Sequence, residues 1–388
     1  MNRRTLLTSF AAPFAIPFLK AAPKLTIESF EIFRVKVNQR GEWVLLRLKA
    51  SNGLTGLGDA SHGAANQGVI NLIDTYFKEA RGRSPFDVEM YRRDVMPSAE
   101  ANKRNGAVAF SAIEQAMWDL QGKALGLPVW ALFGGRLNPS IRHYANINRA
   151  TFDRSPEGFA KLAELAVRDG FDAIKMASFD GLPKQEPARA QGTNTGVACV
   201  EAVRKVIGPT DDLLVDGHSN FNVAEGLEVA RRLEPSKLFW FEEICRGIPG
   251  LAELNEKVSM KTAGGESIFG TKNYYPYIKG GAVDITMPDI KYCGGLLETR
   301  KIGAMSEAAG LPVAPHGPAS PVGNAAAAQV CAAMPNFLIL ELGYGEAPWR
   351  GELINPPEVF EKGGILRVSD RPGLGIELND KVVAAHAV

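Results

Sequence analysis

The amino-acid sequence predicts an α/β protein: a barrel of alternating strands and helices, preceded by an α+β unit and followed by a tail rich in proline and glycine. Two observations carry this. Three apolar, strand-like runs each end in an acid, DDLLVD at Asp216, KLFWFE at Glu242 and KTAGGE at Glu266, and these acids stand 26 and 24 residues apart. The interval then continues through Asp289 after DITMPD, His316 after LPVAPH and Glu341 after FLILE, in steps of 23, 27 and 25 residues. One strand plus one helix of a (β/α) barrel takes about 30 residues, fewer where loops are short, so groups at this interval fall on neighbouring strand ends and converge on one point. A single acid at a strand end reads equally well as a solvated loop residue, but six groups in register do not. Three converging carboxylates repel one another unless a hard divalent cation lies between them. Oxygen-only ligation with room for substrate oxygens suits Mg²⁺ better than zinc.

Taken in order, the elements agree. From Lys24, LTIESFEIFRVKV and EWVLLRLKA alternate apolar and polar residues around the turn Asn38-Gln39-Arg40-Gly41, and Asn52-Gly53 turns the chain into LTGLGDA. This predicts an antiparallel three-stranded meander. Helical periodicity follows in VINLIDTYFKEARG, DVEMYRRDVM and AVAFSAIEQAMWDLQGKALG, the last ended by Gly126 and Pro128. After Gly134-Gly135 the pattern becomes RHYANI, PEGFAKLAELAVRDG, FDAIKMA, GVACVEAVRKVIG, DDLLVD and onward to FLILE, strand and helix in turn. The expected units are an α+β domain over residues 23–140, a barrel over 141–342 and a C-terminal segment, 343–388, that returns to cover the first unit.

The opening residues read differently. Arg3-Arg4 precede an apolar stretch from Leu6 to Leu19, interrupted by Pro13 and Pro17 and followed by Lys20-Ala21-Ala22-Pro23. Residues 1–22 resemble a twin-arginine export signal with RRTLL at its core, and an uncleaved arm is the alternative. A span needs about 20 apolar residues, so no stable membrane anchor is expected. Export in the folded state suits a protein that takes up its metal before leaving the cytoplasm. The expected location is the periplasm, with the cytoplasm as the alternative.

Composition excludes other classes. The chain of 388 residues is 45% hydrophobic and 22% charged, with a formal net charge of +1. It lacks a basic run after the first few residues and an aromatic platform interleaved with Lys or Arg, so no nucleic-acid partner is expected. Cys199, Cys245, Cys293 and Cys331 show no CxxC spacing and form neither a zinc site nor an obvious disulfide framework. Gly53 to Gly58 reads GLTGLG without the GxGxxG spacing, and Gly217-His218-Ser219-Asn220-Phe221 lacks the last glycine of a nucleophile elbow.

The helix SAIEQAMWDLQGKALGLPVWALFGG, the acids at the strand ends, MPDIKYCGG, APHGP and the tail DRPGLGIEL occur in that order between about Lys24 and Asn379. In this the chain resembles the enolase superfamily, in its mandelate racemase-like branch, and within that the acid-sugar dehydratases of the galactonate type. The resemblance implies a modified (β/α)7β barrel closed by the capping domain, one Mg²⁺ per subunit, and removal of a proton alpha to a carboxylate. Such a proton is too weakly acidic for any side chain to remove unless the charge that develops is stabilised as it forms.

Asp216, Glu242 and Glu266 match the family's metal ligands. Glu243 beside Glu242 faces the other side of the strand and is expected to be structural, while Ile244 replaces the usual proline after this pair. By the resemblance, His316 is the general base and Asp289 orients it, and Glu341 donates a hydrogen bond to the developing oxyanion, a solvated rim acid being the alternative. Lys175 in AIKMASFDG stands where many racemases carry Lys-x-Lys. Here Lys175-Met176-Ala177 lacks the second lysine, so Lys175 is expected to be a fixed charge against the substrate carboxylate, or else a solvated strand cap. His218 lies two residues after Asp216, where strand alternation puts both on the same face, and matches the Asp-x-His whose histidine protonates a departing hydroxyl. A merely substrate-contacting His218 is the alternative.

The expected reaction is loss of water from a sugar acid to give a 2-keto-3-deoxy acid. A racemase or epimerase, or a non-catalytic periplasmic binding protein, is the alternative. Specificity is expected from Asn38 to Trp43 and Ser61 to Gln67 with His62, together with Asn146, Asn148 and Arg149. The excursion from Ser178 to Thr195 reads as a lid, an oligomer contact or a plain surface loop. The expected assembly is a homo-oligomer.

Overall fold

The structure, a computed structural model, describes residues 25–39, 41–61 and 66–388. The export-signal reading of residues 1–22 and the binding role expected of His62 lie outside them. Strands β1 (Ile27–Asn38), β2 (Gly41–Ala50) and β3 (Thr55–Asp59) form the antiparallel meander. Helices α1 (Asn66–Ala80), α2 (Val88–Ala101) and α3 (Lys103–Leu125) cover it, and Gly126 ends α3 in a left-handed turn with φ 70°. The glycines of GLTGLG serve this packing. A Cβ on Gly58 would lie 2.0 Å from the carbonyl oxygen of Ala112, and one on Gly56 2.2 Å from that of Ala116, so β3 lies directly on the α3 backbone.

After the short α4 (Val129–Leu132) the barrel begins. Its strands are β4 (Ser140–Asn146), β5 (Ala173–Met176), β6 (Asp212–Asp216), β7 (Trp240–Glu242), β8 (Thr262–Gly264), β9 (Ile285–Thr286) and β10 (Leu340–Gly343). They pair in parallel, in the order β10-β4-β5-β6-β7-β8-β9. Helices α5 (Pro156–Arg168), α6 (Ala188–Ile207), α7 (Val223–Leu233), α8 (Ile248–Lys257), α9 (Gly270–Lys279), α10 (Gly295–Ala308) and α11 (Pro321–Ala332) lie between them in sequence. Local signals set the helix starts. Ser155 accepts the N–H of Gly158 ahead of Pro156, and Asn222 with Glu225 forms a reciprocal capping box. The strands read as nearly continuous apolar runs because both faces are buried. Leu214 belongs to the inner cluster with Tyr144, Trp240 and Ile285, while Leu213 and Val215 pack outward among the helices.

LPVAPH, expected as a full strand, is reduced to single bridges from Val313 to Thr286 and Phe337. Pro312 and Pro315 supply no N–H for a ladder. What survives is a thin seam, with Ala314 N–H to Thr286 O at 3.0 Å and Leu338 N–H to Val313 O at 2.8 Å.

The tail adds β11 (Ile354–Asn355), β12 (Ile365–Arg367), β13 (Glu377–Leu378) and α12 (Asp380–Ala385). Strand β12 pairs antiparallel with β4, and the N–H of Val388 bonds to Arg34 of β1. Two buried acids of the cap bond to the barrel. Glu114 on α3 accepts the N–H groups of Leu296 (2.7 Å) and Leu297 (3.0 Å) at the start of α10, and Gly295 leaves room, since a Cβ there would lie 2.0 Å from the carboxylate. Asp59 at the end of β3 accepts both the N–H (2.8 Å) and the hydroxyl (2.7 Å) of Ser320 ahead of α11. Among the described residues no helix is long and apolar enough to cross a membrane.

Candidate active site

Parallel strands place their C-terminal residues at one mouth of the barrel. Asp216 and Glu242 are the last residues of β6 and β7, and Glu266 lies two residues past β8. One oxygen from each of the three falls within 4.8 Å of the others. Asp216 Oδ2 and Glu266 Oε2 are buried and receive no well-directed hydrogen bond, their nearest ring nitrogens being those of His218 and His316 at 3.0 and 3.1 Å. Buried carboxylate oxygens facing one another fit a hard divalent cation, which would satisfy them at once. Glu242 is held on both sides, by Lys175 Nζ at 2.5 Å and by Trp240 Nε1 at 2.9 Å. Burial and then the charge of Asp216 push the Glu242 carboxyl well above its usual range. Asp216 goes the other way: burial opposes its ionisation, but His218 and Lys175 hold it well below the usual carboxylate range.

Lys175, on β5, is almost wholly buried and lies 3.3 Å from Asp216 and 3.4 Å from Glu341. It is no solvated cap. Glu341, on β10, accepts Asn146 Nδ2 at 2.6 Å and the N–H of Gly317 at 2.9 Å. Burial pushes its carboxyl up, but Lys175 and His316 outweigh that and hold it below its usual range. It accepts both hydrogen bonds.

His316 follows the thin seam. Its Nδ1 lies 2.7 Å from Asp289 Oδ2 and its Nε2 3.1 Å from Glu266 Oε2. With Nδ1–H donating to Asp289, the neutral ring turns its lone pair on Nε2 towards the nest. Asp289 is itself fixed by the N–H of Lys291 at 2.6 Å, and Lys291 and His316 hold its carboxyl low in spite of burial. His218 approaches from the β6 side, with Nε2 3.0 Å from Asp216 Oδ2 and Nδ1 2.5 Å from Asp180 Oδ1. Strand alternation is not what puts it there. The strand ends at Asp216, and His218 and Ser219 turn with φ of 43° and 53°, while the N–H of His218 bonds back to Asp216 Oδ1 at 2.8 Å. Asp216 first, and Asp180 through its hydrogen bond, lift the imidazole to about 12 against the effect of burial.

A cavity of about 360 Å³ opens over these groups. Asn146, Asn148 and Arg149 line it, as do Trp43 and Ser61 of the cap. Asn146 is occupied with Glu341, Asn148 donates to Asp180 at 3.0 Å, and Arg149 is ion-paired with Glu346. Asp180, Arg104, Lys291 and Tyr292 also line it and were not singled out in the sequence. Lys291 and Tyr292 stand two and three residues after Asp289, where proximity alone was a signal. Asp180 lies at the head of the Ser178–Thr195 excursion, just after β5, and Arg104 in the first turn of α3 reads as an ordinary solvent-facing cation.

Fold and site define a barrel enzyme with a carboxylate nest for a cation and a separate roof. Residues 158–382 match the enolase C-terminal domain-like family and residues 22–134 the mandelate racemase/muconate lactonizing enzyme N-terminal domain, so the chain belongs to the enolase superfamily in its mandelate racemase branch. It is 30% identical over 355 residues to D-gluconate dehydratase of Thermoproteus tenax, spanning 88% of this chain and 69% of that one. Against D-galactonate dehydratase of Verminephrobacter eiseniae it is 30% identical over 364 residues, spanning 88% and 90%. Against D-galactarolactone cycloisomerase of Agrobacterium fabrum it is 28% identical over 364 residues, spanning 90% and 92%. The solved mandelate racemase/muconate lactonizing enzyme-like protein of Rubrobacter xylanophilus superposes with a TM-score of 0.86 at 30% identity, covering 94% of this chain and 98% of that one.

Proposed function

We propose that the protein is an acid-sugar dehydratase that removes the alpha proton of a sugar acid and expels the beta-hydroxyl as water. One observation carries this reading: two histidines flank a single carboxylate nest, His218 against Asp216 and His316 against Glu266 (3.0 and 3.1 Å), so a proton acceptor and a proton donor face the same cavity. A Mg²⁺ ion held by Asp216, Glu242 and Glu266 would supply the positive charge that makes a proton beside a carboxylate removable.

The chain's own groups do the rest. Lys175 adds a fixed charge at the nest. Neutral His316 takes the alpha proton on Nε2, and Asp289 holds the ring and stabilises the imidazolium that results. The electron pair left on the alpha carbon forms the new double bond as the bond from the beta carbon to oxygen breaks. His218 passes its proton to the leaving hydroxyl, which departs as water. The enol then tautomerises to a 2-keto-3-deoxy acid. A racemase would need a second base on the opposite face. At the Lys-x-Lys position this chain has Ala177, and Lys175 is engaged by three carboxylates.

Screening the purified, Mg²⁺-supplied protein against an acid-sugar library with a semicarbazide readout tests the reading. Keto-acid formation from at least one sugar acid is expected, and alpha-proton exchange without keto acid from every member would overturn it. We also propose export on the twin-arginine segment and assembly as a homo-oligomer. Fusing residues 1–30 to a reporter active only after twin-arginine transport, and light scattering of the purified protein, check these in turn.

A further inference from the structure

Among the described residues four permanent cations line the cavity: Lys175, Lys291, Arg149 and Arg104. Three are matched by carboxylates of the chain, Lys175 by Glu242 at 2.5 Å, Lys291 by Asp289 at 3.7 Å, and Arg149 by Glu346. Arg104 has no such match. Among the described residues no carboxylate oxygen lies within 4.0 Å of its guanidinium, and residues 1–24, 40 and 62–65 contain no Asp or Glu that could supply one. Its plane is nevertheless held in place, 4.1 Å above the ring of Tyr292, whose centroid lies 6.1 Å from that of His316. A stacked guanidinium turned into a cavity presents a planar fork of donors suited to a carboxylate. The carboxylate next to the reacting carbon does not need it, because the nest and Lys175 already serve that end.

We propose that Arg104 receives a second carboxylate at the far end of the substrate, so that the preferred substrate is a sugar diacid rather than the corresponding monoacid. The inference rests on the sugar-acid reading given above. Arg104 reaches the cavity from the first turn of α3, so the cap supplies the distal anchor while the barrel supplies the chemistry. Its exposure allows substitution without disturbing the core.

The test uses two stereochemically matched pairs, gluconate with glucarate and galactonate with galactarate. Dissociation constants are measured by calorimetry with Mg²⁺ in a His316→Asn background, and kcat/KM in the parent protein. In at least one pair the diacid should bind about ten-fold or more tightly than its monoacid, the scale of one hydrogen-bonded charge. Arg104→Gln should bring the pair to near equality with an unchanged melting temperature, and Arg104→Lys, which keeps the charge but not the fork, should restore part of the gap. If monoacids bind and turn over while diacids hold no advantage, or if the advantage survives in Arg104→Gln, the role of Arg104 is overturned and the dehydratase reading stands. If none of the four acids binds, this inference is overturned, and the sugar-acid reading is decided separately by the library screen.

Discussion

Asp289 binds two partners with one carboxylate: Oδ2 takes Nδ1 of His316 at 2.7 Å and Oδ1 takes the N–H of Lys291 at 2.6 Å. The backbone therefore fixes the acid, and the acid fixes the ring. Burial opposes protonation of His316, but Glu266, Glu341 and Asp289 outweigh it and lift the ring above its ordinary value. The base acts as the neutral ring, so kcat should rise with pH through this raised value. Asp289→Asn removes one of the raising charges. Its ascending limb should move to lower pH while kcat drops about 10²- to 10⁴-fold. A pH–rate profile decides this, and a limb that stays in place would refute the pairing.

His218→Asn separates the two halves of the reaction. Loss of the proton donor should abolish keto-acid formation while leaving removal of the alpha proton. The variant should therefore wash deuterium from solvent into recovered substrate, read by NMR. Full dehydration by this variant would remove His218 from the role of acid.

Metal removal should be visible without turnover. The buried oxygens of Asp216 and Glu266 that receive no well-directed hydrogen bond should draw stability from a bound cation. At a hundredfold excess over Kd, Mg²⁺ should contribute about 2.7 kcal/mol, seen as a rise in Tm that EDTA reverses. Asp216→Asn should blunt the response.

Glu114→Ala leaves the N–H groups of Leu296 and Leu297 buried and unpaired at the start of α10. The expected cost is about 2–4 kcal/mol in urea unfolding, with substrate affinity weakened as cap and barrel loosen.

His143 gives the fold an acid limit. Its ring is buried between Ile141 O and Asn324 Oδ1, and burial lowers it to about 4. Between its ordinary value near 6.5 and about 4 the unfolded chain binds a proton that the folded chain refuses, so stability falls as pH drops through that window. The whole effect is about 3 kcal/mol, and it is absent above pH 7. Urea midpoints at pH 4.5 and 7.5 should differ less in His143→Gln than in the parent.

Much of this was legible in the residues. Strands such as DDLLVD stand out because both faces are buried, and the acids at their ends keep the rhythm of the barrel. The chain also hid things. LPVAPH looks like a strand until its prolines are asked for hydrogen bonds. His218 reaches Asp216 through a left-handed turn that alternation does not foresee. Asp180 and Arg104 acquire meaning only from what folds opposite them, His218 in one case and the Tyr292 ring at the cavity wall in the other. Strand β12 is three residues long, too short for any periodicity to announce its union with β4.

The contact of β3 with α3 through Gly56 and Gly58 leaves no slack between sheet and helix, so the roof is a stiff slab rather than a bundle of flaps. Whatever admits and retains a substrate must then be either a tilt of the whole slab on its two acid hinges or a rearrangement of the fingertips at its rim. A lineage can exchange those fingertips to suit a new guest and leave the slab, and the furnace beneath it, as they were.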